Sequence, residues 1–165
     1  MIEVVHATDE HVEQIARLIG VLREQEGLLE PVTTGSVRAY MAEEFTDVFV
    51  ALGEAGEGAD GGVDRAGDRG TPMPAPVLGV LSLRTMRDLF HGRPTALIQE
   101  LVVADGHRGE GIGGALLDAA LERAHELGCV EIAVTTGERN EAGQAAYRSR
   151  GFEQDGVYFE RHFEG

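Results

Sequence analysis

Residues 97–121 read LIQELVVADGHRGEGIGGALLDAAL: an apolar run, a glycine-rich turn and then an amphipathic stretch. This order predicts a β-strand, a tight turn and a helix that begins directly after the turn. Glycine tolerates positive φ and lets other groups approach the backbone, so free N–H groups of the turn and the helix start can converge on an anion. Arg108 adds a forked cation beside them. The segment therefore predicts a phosphate-binding turn.

Two common phosphate-binding motifs fit this turn poorly. A P-loop needs Lys followed by Ser or Thr after the glycines, and that sequence does not occur here. Gly109, Gly111 and Gly114 match the dinucleotide spacing G-x-G-x-x-G, but that motif follows the first strand of its domain, whereas about a hundred residues precede it here. A third pattern, Arg-x-x-Gly-x-Gly at Arg108, Gly111 and Gly113, fits without this difficulty.

The third pattern resembles the acetyl-CoA signature of the GNAT N-acetyltransferase superfamily, Gln/Arg-x-x-Gly-x-Gly/Ala between the fourth strand and the next helix. Residues 140–152 resemble a second family element, Asn-x-x-Ala-x-x-x-Tyr-x-x-x-Gly-Phe. Asn140, Tyr147 and Gly151 match this element, and Gly143 stands where alanine is usual. Because both signatures occur in the right order, the chain is identified as a member of this superfamily.

The resemblance implies an α/β fold, with one domain over residues 1–165. It implies a mixed, mostly antiparallel central sheet of about six to seven strands, with helices on both faces. The apolar pattern predicts strands at residues 2–5, 47–52, 77–86, 95–103, 129–135 and 157–163. Helix signals predict helices from Thr8 or Asp9 to Gly27, from Thr34 or Ser36 onward, from the glycine turn to Gly128, and from Asn140 to Gly151. Residues 53–75, rich in Gly, Pro and acids, predict a flexible insertion.

The resemblance also implies acetyl-CoA as the acyl-donor cosubstrate. Its pyrophosphate is expected at the glycine turn, and its pantetheine arm is expected to pair with the end of the fourth strand. There, the N–H of Val102 or Val103 would polarise the thioester carbonyl. The residues expected to contact acetyl-CoA are Leu101, Val102, Val103, Arg108, Gly109, Glu110, Gly111, Ile112, Gly113, Gly114, Asn140 and Tyr147.

Two residues are candidates for proton transfer. Glu100 stands among apolar residues of the fourth strand, and a partly buried carboxylate can act as a general base, directly or through water. The alternative is a strand residue that faces solvent or pairs with an arginine. Tyr147 resembles the family's general acid, since a phenol stays protonated at neutral pH and can donate to a departing thiolate. The alternative for Tyr147 is an aromatic anchor in the core.

Composition restricts the partners. A net charge of −15 argues against nucleic acid, because a protein that binds phosphate backbones needs a basic face.

No run of eighteen apolar residues and no signal-peptide pattern occurs, so we expect a cytoplasmic protein without a membrane partner. The six histidines lack paired ligand spacing, and no metal site is expected.

The sequence therefore predicts an acetyl-CoA-dependent N-acetyltransferase that acts by direct transfer in a ternary complex. Its expected acceptor is a small-molecule primary amine. A protein N-terminus or lysine is the alternative acceptor, a non-catalytic acyl-CoA sensor is the alternative from another class, and a homodimer is compatible with each.

In the resembled fold the first two helices border the acceptor site. Tyr40, Met41, Phe45 and the segment 27–34 are therefore acceptor-side candidates. Acidic residues around these helices favour a cationic acceptor; they are Glu26, Glu30, Glu43, Glu44 and Asp47.

Overall fold

The computed structural model describes residues 2–28, 30–54 and 74–163. The strands are β1 (Glu3–His6), β2 (Thr46–Leu52), β3 (Val77–Arg87), β4 (Pro94–Val103) and β5 (Ile132–Val134). The helices are α1 (Val12–Gln25), α2 (Thr34–Met41), α3 (Ile112–Glu126) and α4 (Glu141–Arg148), and a 3₁₀ turn, Asp9–His11, leads into α1. The predicted insertion at residues 53–75 falls almost entirely outside the described residues.

The described strands form one five-stranded sheet in the order β1-β2-β3-β4-β5. Strands β1 to β4 pair antiparallel with their neighbours, and β5 runs parallel to β4 because α3 forms the crossover between them. The predicted mixed, mostly antiparallel sheet is confirmed, although it has fewer strands than the six or seven expected.

Each face of the sheet carries its own core, because side chains alternate across a strand. On one face, Leu81 and Leu83 of β3 pack with Leu116 of α3. On the other face, Val80 of the same strand packs with Val12 and Ile15 of α1. The prediction of helices on both faces is therefore confirmed.

The helix ends follow local signals closely. Helix α2 is capped by Thr33, one residue before the predicted Thr34: its hydroxyl accepts from the Ser36 N–H at 3.0 Å, and the Ser36 hydroxyl accepts from the Thr33 N–H at 3.1 Å. This reciprocal capping box satisfies two backbone donors that the first turn leaves free. The predicted Asn140 cap is confirmed, with the Asn140 Oδ1 accepting from the Gly143 N–H at 3.0 Å.

The predicted strand at residues 157–163 is wrong. Residues 152–163 form no regular element, and Val157, Tyr158, Phe159 and Phe163 are 68–88% exposed. An alternating apolar pattern forms a strand only when a neighbour supplies a ladder, and β5 is three residues long rather than the seven predicted at 129–135. The described helices include none with the length and apolar character to cross a membrane.

Gly79 on β3 marks the closest approach of sheet and helix. A Cβ there would lie 2.9 Å from both Ile112 Cγ2 and Leu116 Cδ1, and 3.1 Å from the Val102 carbonyl oxygen. These contacts explain glycine in a strand interior, since α3 packs directly on its Cα. This close packing fixes where α3 begins relative to β4.

We expect Gly79→Ala to lower the free energy of unfolding by about 1–3 kcal/mol, because the methyl group overpacks this contact. Gly20→Ala in α1 is the matched control: no atom lies within 4 Å of its Cβ position, and it should stabilise the helix by about 0.5–1 kcal/mol. Chemical denaturation measures both values. Equal effects of the two substitutions would contradict the packing described here.

Candidate active site

A β-bulge on β4 creates the central feature of the site. Ser82 of β3 faces Glu100, but the next residue, Leu83, faces Ile98, so Gln99 is an extra residue on β4. A bulge bends its strand and increases its twist. Strand β5 pairs with β4 only through residues 96–98. Beyond the bulge, therefore, residues 99–103 keep β3 on one side and have an open edge on the side of β5.

Backbone amides on this edge point in a defined order. The Ala96 N–H donates toward β5, to the Glu131 carbonyl at 2.9 Å. After the bulge the order is shifted: the Glu100 N–H donates to Ser82 Oγ at 3.1 Å, and the Ala104 N–H donates to the Leu78 carbonyl at 2.8 Å, both toward β3. Because amide directions alternate along a strand, we infer that the N–H groups of Leu101 and Val103 face the open edge. Of the two amides predicted to polarise the thioester, that of Val103 faces this edge and that of Val102 faces β3.

The glycine turn leads from β4 into α3. Gly106, Gly109 and Gly111 have φ of 89°, 84° and 85°, values that side chains other than glycine adopt with strain. Gly111 is the N-cap of α3 and offers no side chain to the free amides. The first intrahelical bond runs from the Ala115 N–H to the Gly111 carbonyl at 3.0 Å. The N–H groups of residues 112–114 therefore have no intrahelical acceptor, and the helix dipole favours an anion there.

Charged side chains around the turn are paired. Arg108 lies 3.1 Å from Asp105, and His107 lies 3.1 Å from Glu110. Both pairs are largely exposed, so the Arg108 guanidinium stays accessible at the turn.

A second cation, which the sequence did not indicate, lies against the start of α3. The Arg150 guanidinium carbon would be 3.1 Å from a Cβ on Gly114. Asp118 holds this guanidinium with two hydrogen bonds of 2.6 and 3.1 Å. This bidentate pair fixes Arg150 beside the first turn of the helix.

Glu100 belongs to a polar cluster on the α2 face of the sheet. The buried Ser82 hydroxyl donates to its carboxylate, so its partner is a serine and not the arginine considered in the alternative interpretation. The bulge turns Gln99 toward the same face, where the Tyr40 hydroxyl donates to Gln99 Oε1 at 2.6 Å. Burial raises the pKa of Tyr40, and the carboxylates of Glu100 and Glu43 act in the same direction. Gln99 and Ser82 were not predicted, and only knowledge of the bulge would have indicated them.

Tyr147 lies in the core on the opposite face. Its ring is 8% exposed, contacts the Phe152 ring edge-on at 5.8 Å between centroids, and belongs to the cluster that Leu101 and Val103 pack against. Burial raises the pKa of the Tyr147 phenol. The side chain is thus packed in the core as an aromatic anchor, with its phenol protonated at neutral pH.

The cap of α4 occupies the side chain of Asn140. Besides capping Gly143, its Nδ2 donates to Thr136 Oγ1 at 3.0 Å. A Cβ at position 143 would lie 2.8 Å from Asn140 Cγ, so glycine at the family's usual alanine position accommodates this cap.

Not all acidic residues expected near the acceptor lie there. Asp47 is on the α3 side of the sheet, where it accepts from His6 Nε2 and Arg123 Nε, each at 3.0 Å. Its assignment to the acceptor side is therefore wrong, because strand alternation turns it away from α2. Glu43 does face that side, but its carboxylate accepts a hydrogen bond from Arg84 at 2.8 Å.

Within residues 2–28, 30–54 and 74–163, no three His, Cys, Asp or Glu side chains group as a metal site.

A family model for the acetyltransferase (GNAT) family matches residues 35–152. The chain belongs to this family. The GNAT match includes both sequence signatures, the β4 bulge and the glycine turn. Family membership confirms the fold class and places the domain among acetyltransferase enzymes.

Individual proteins and solved structures are also similar to this chain. The chain is 29% identical to N-acetyltransferase family 8 member 2 of Rattus norvegicus over 83 residues, which are 50% of this chain and 37% of that protein. The chain thus matches little more than a third of that relative's length. A transcriptional regulator from Bacillus halodurans superposes with a TM-score of 0.75 at 24% identity, covering 99% of this chain and 100% of that one. An aminoglycoside acetyltransferase from an uncultured soil sample, in complex with sisomicin, gives 0.74 at 18% identity, covering 99% and 97%.

Burial of Tyr147 has a consequence for stability at high pH. The folded state holds the phenolic proton to a higher pH than the unfolded chain, whose tyrosines titrate near pH 10. The buried, protonated phenol therefore contributes to the free energy of unfolding. This stabilisation is fully present below about pH 10 and is lost as the pH rises through the raised pKa of Tyr147. We expect the free energy of unfolding to fall more steeply above pH 10 in the parent protein than in Tyr147→Phe. Denaturation curves from pH 8 to 11 measure both slopes, and equal slopes would show that burial of the phenol is not maintained.

Proposed function

We propose that this domain transfers an acetyl group from acetyl-CoA to the primary amine of a small molecule, directly and in a ternary complex. The observation that carries the proposal is the open edge of β4 directly beside the free amides of α3. Few arrangements offer a strand edge and an anion-binding helix start in succession. Together they suit a ligand with an extended amide-containing arm and a pyrophosphate.

The residues present fit acetyl-CoA. The N–H groups of residues 112–114 would bind pyrophosphate oxygens, with the exposed Arg108 alongside. Gly113 leaves space above the first turn, since a Cβ there would contact only Val103 Cγ2, at 3.6 Å. Leu101 and Val103 would pair with the amides of the pantetheine arm along the open edge. When bound, acetyl-CoA supplies the activated acetyl group as a thioester.

Glu100 and Tyr147 would move the two protons of the reaction. Glu100 accepts the proton that the amine nitrogen loses as its bond to the acetyl carbon forms, directly or through water. The Ser82 hydroxyl, which donates to the Glu100 carboxylate, orients it toward the α2 face. Tyr147 gives its proton to the sulfur as the carbon–sulfur bond breaks. The products are an N-acetylated amine and the free thiol.

The acceptor is proposed to be a small cationic amine. Glu26, Glu30 and Glu44 are exposed around α1 and α2 and would attract a cation, an effect screened over about 8 Å at physiological salt. The soil acetyltransferase whose structure contains sisomicin shares the fold, and this similarity supports a small-molecule acceptor. The proposed location of this reaction is the cytoplasm.

The glycine turn can be tested by binding. Gly113→Val should weaken acetyl-CoA binding at least about tenfold, because its methyl groups would occupy the space above the free amides. At a ligand concentration a hundred times the parent dissociation constant, the parent protein should gain about 2.7 kcal/mol of stability, whereas a variant with tenfold weaker affinity should gain about 1.4 kcal/mol. Titration calorimetry and denaturation measure the two effects.

Gly156→Val is the matched control, since its Cβ position meets no atom within 4 Å and it lies far along the chain from the turn. It should bind as the parent does. Unchanged affinity in Gly113→Val, or tight binding of NAD in place of acetyl-CoA, would contradict the assignment.

The proton-transfer roles can be tested by kinetics. Tyr147→Phe and Glu100→Gln should each lower kcat by about a hundredfold with little change in the KM for acetyl-CoA. The loss in Glu100→Gln should be greatest at lower pH, where the amine arrives protonated. Tyr158→Phe and Glu153→Gln, both at exposed positions, are the controls. A parent-like pH profile in Glu100→Gln would exclude it as the base, and binding without any turnover of an amine panel would indicate a sensor.

A further inference from the structure

The bulge on β4 places two polar side chains next to each other on one face. In a regular strand Gln99 and Glu100 would point to opposite faces. Here Gln99 contacts Tyr40 of α2, Glu100 contacts Ser82, and Ile98 and Leu101 on either side pack toward the α3 core. The proposed base therefore has an immediate polar neighbour on the acceptor side.

Tyr40 fixes the orientation of the Gln99 carboxamide. Its hydroxyl donates to Gln99 Oε1 at 2.6 Å. Tyr40 is itself half-buried on α2, which Thr33 and Ser36 cap and which Arg38 ties to Asp9 at 2.6 Å. Because the carbonyl end of the amide is engaged, the Nε2 end points away from Tyr40. In the described part of the chain, Nε2 donates to no other group, and the side chain is exposed.

An amide N–H₂ group selects its ligand by chemistry. It donates hydrogen bonds only, and a protonated amine cannot accept one. The complementary group is therefore an oxygen of a hydroxyl or carbonyl. Consecutive Cα atoms are about 3.8 Å apart, so Gln99 and Glu100 can contact two atoms that lie close together in one acceptor molecule.

We propose that Gln99, positioned by Tyr40, determines acceptor specificity by donating from Nε2 to an oxygen on the carbon adjacent to the amine-bearing carbon. The preferred acceptors are amines that bear such a hydroxyl or carbonyl, such as amino alcohols and amino sugars, over alkylamines and plain polyamines. This inference rests on the proposed function, because it assigns the acceptor of the same reaction.

Three variants distinguish the hydrogen-bond donor, Gln99 Nε2, from the Tyr40 hydroxyl that orients it. Gln99→Glu keeps the shape and can still accept from Tyr40, but it has no N–H to donate. Gln99→Ala removes the side chain, and Tyr40→Phe removes the group that orients it. Gln154→Ala and Tyr158→Phe, both at exposed positions after α4, are the matched controls.

The test compares kcat/KM for matched amines in which an oxygen replaces a carbon. Ethanolamine is compared with n-propylamine, and 2-aminocyclohexanol with 2-methylcyclohexylamine. Because the paired amines differ in basicity, the readout is the change in the ratio between parent and variant, which a merely structural role would not move. We expect the preference for the oxygenated amine to fall at least about tenfold in Gln99→Glu and Gln99→Ala, and partly in Tyr40→Phe.

The controls should retain the parent ratio. An unchanged ratio in Gln99→Glu or Gln99→Ala would overturn the inference, as would turnover of other amines but of none of these oxygenated probes. Either result leaves acetyl-CoA binding and acetyl transfer intact. Absence of acetyl-CoA binding in calorimetry, together with no thiol release with any amine, would instead overturn the proposed function itself.

Discussion

One extra residue in β4 determines the geometry of the site. Without the bulge at Gln99, β4 would continue in register with β3, and its amides would keep the alternation that the Ala96 N–H begins toward β5. With it, the amide order changes by one, and the pairing of β4 with β5 ends at Ile98. The same residue thus opens the strand edge, aims the Val103 amide at it and brings Gln99 beside Glu100.

The proposed pyrophosphate site lies in a chain with a net charge of −15. Its nearby guanidinium groups are already paired, Arg108 with Asp105 and Arg150 with Asp118. Backbone amides at the start of α3 are not subject to such pairing, because they carry partial positive charge whatever the side chains around them do. The attraction for a pyrophosphate would therefore be local and would come mainly from the helix terminus.

Local signals in the sequence predicted the turn and the helix ends well. Gly128 after α3 and Asn140 before α4 act within a few residues of themselves, so their effect can be derived without the fold. The bulge and the strand at residues 157–163 depend on pairing between distant segments. Nothing in the residues around Gln99 sets the register of β3 against β4, which results from two cores packing on opposite faces. For the same reason Asp47 could not be assigned to a face from its sequence neighbours.

The two faces of β4 divide the proposed chemistry between two cores. Tyr147, Leu101 and α3 belong to the core beneath the proposed acetyl-CoA site, whereas Glu100 and Gln99 face the side supported by α1 and α2. Substitutions on α2 would therefore change what Tyr40 and Gln99 recognise without repacking the glycine turn or the start of α3. Changes on α3 would instead alter cofactor binding through contacts such as Gly79 with Leu116. A fold built this way would let acceptor specificity vary while the acetyl donor stays the same, because different helices pack on the two faces of the sheet.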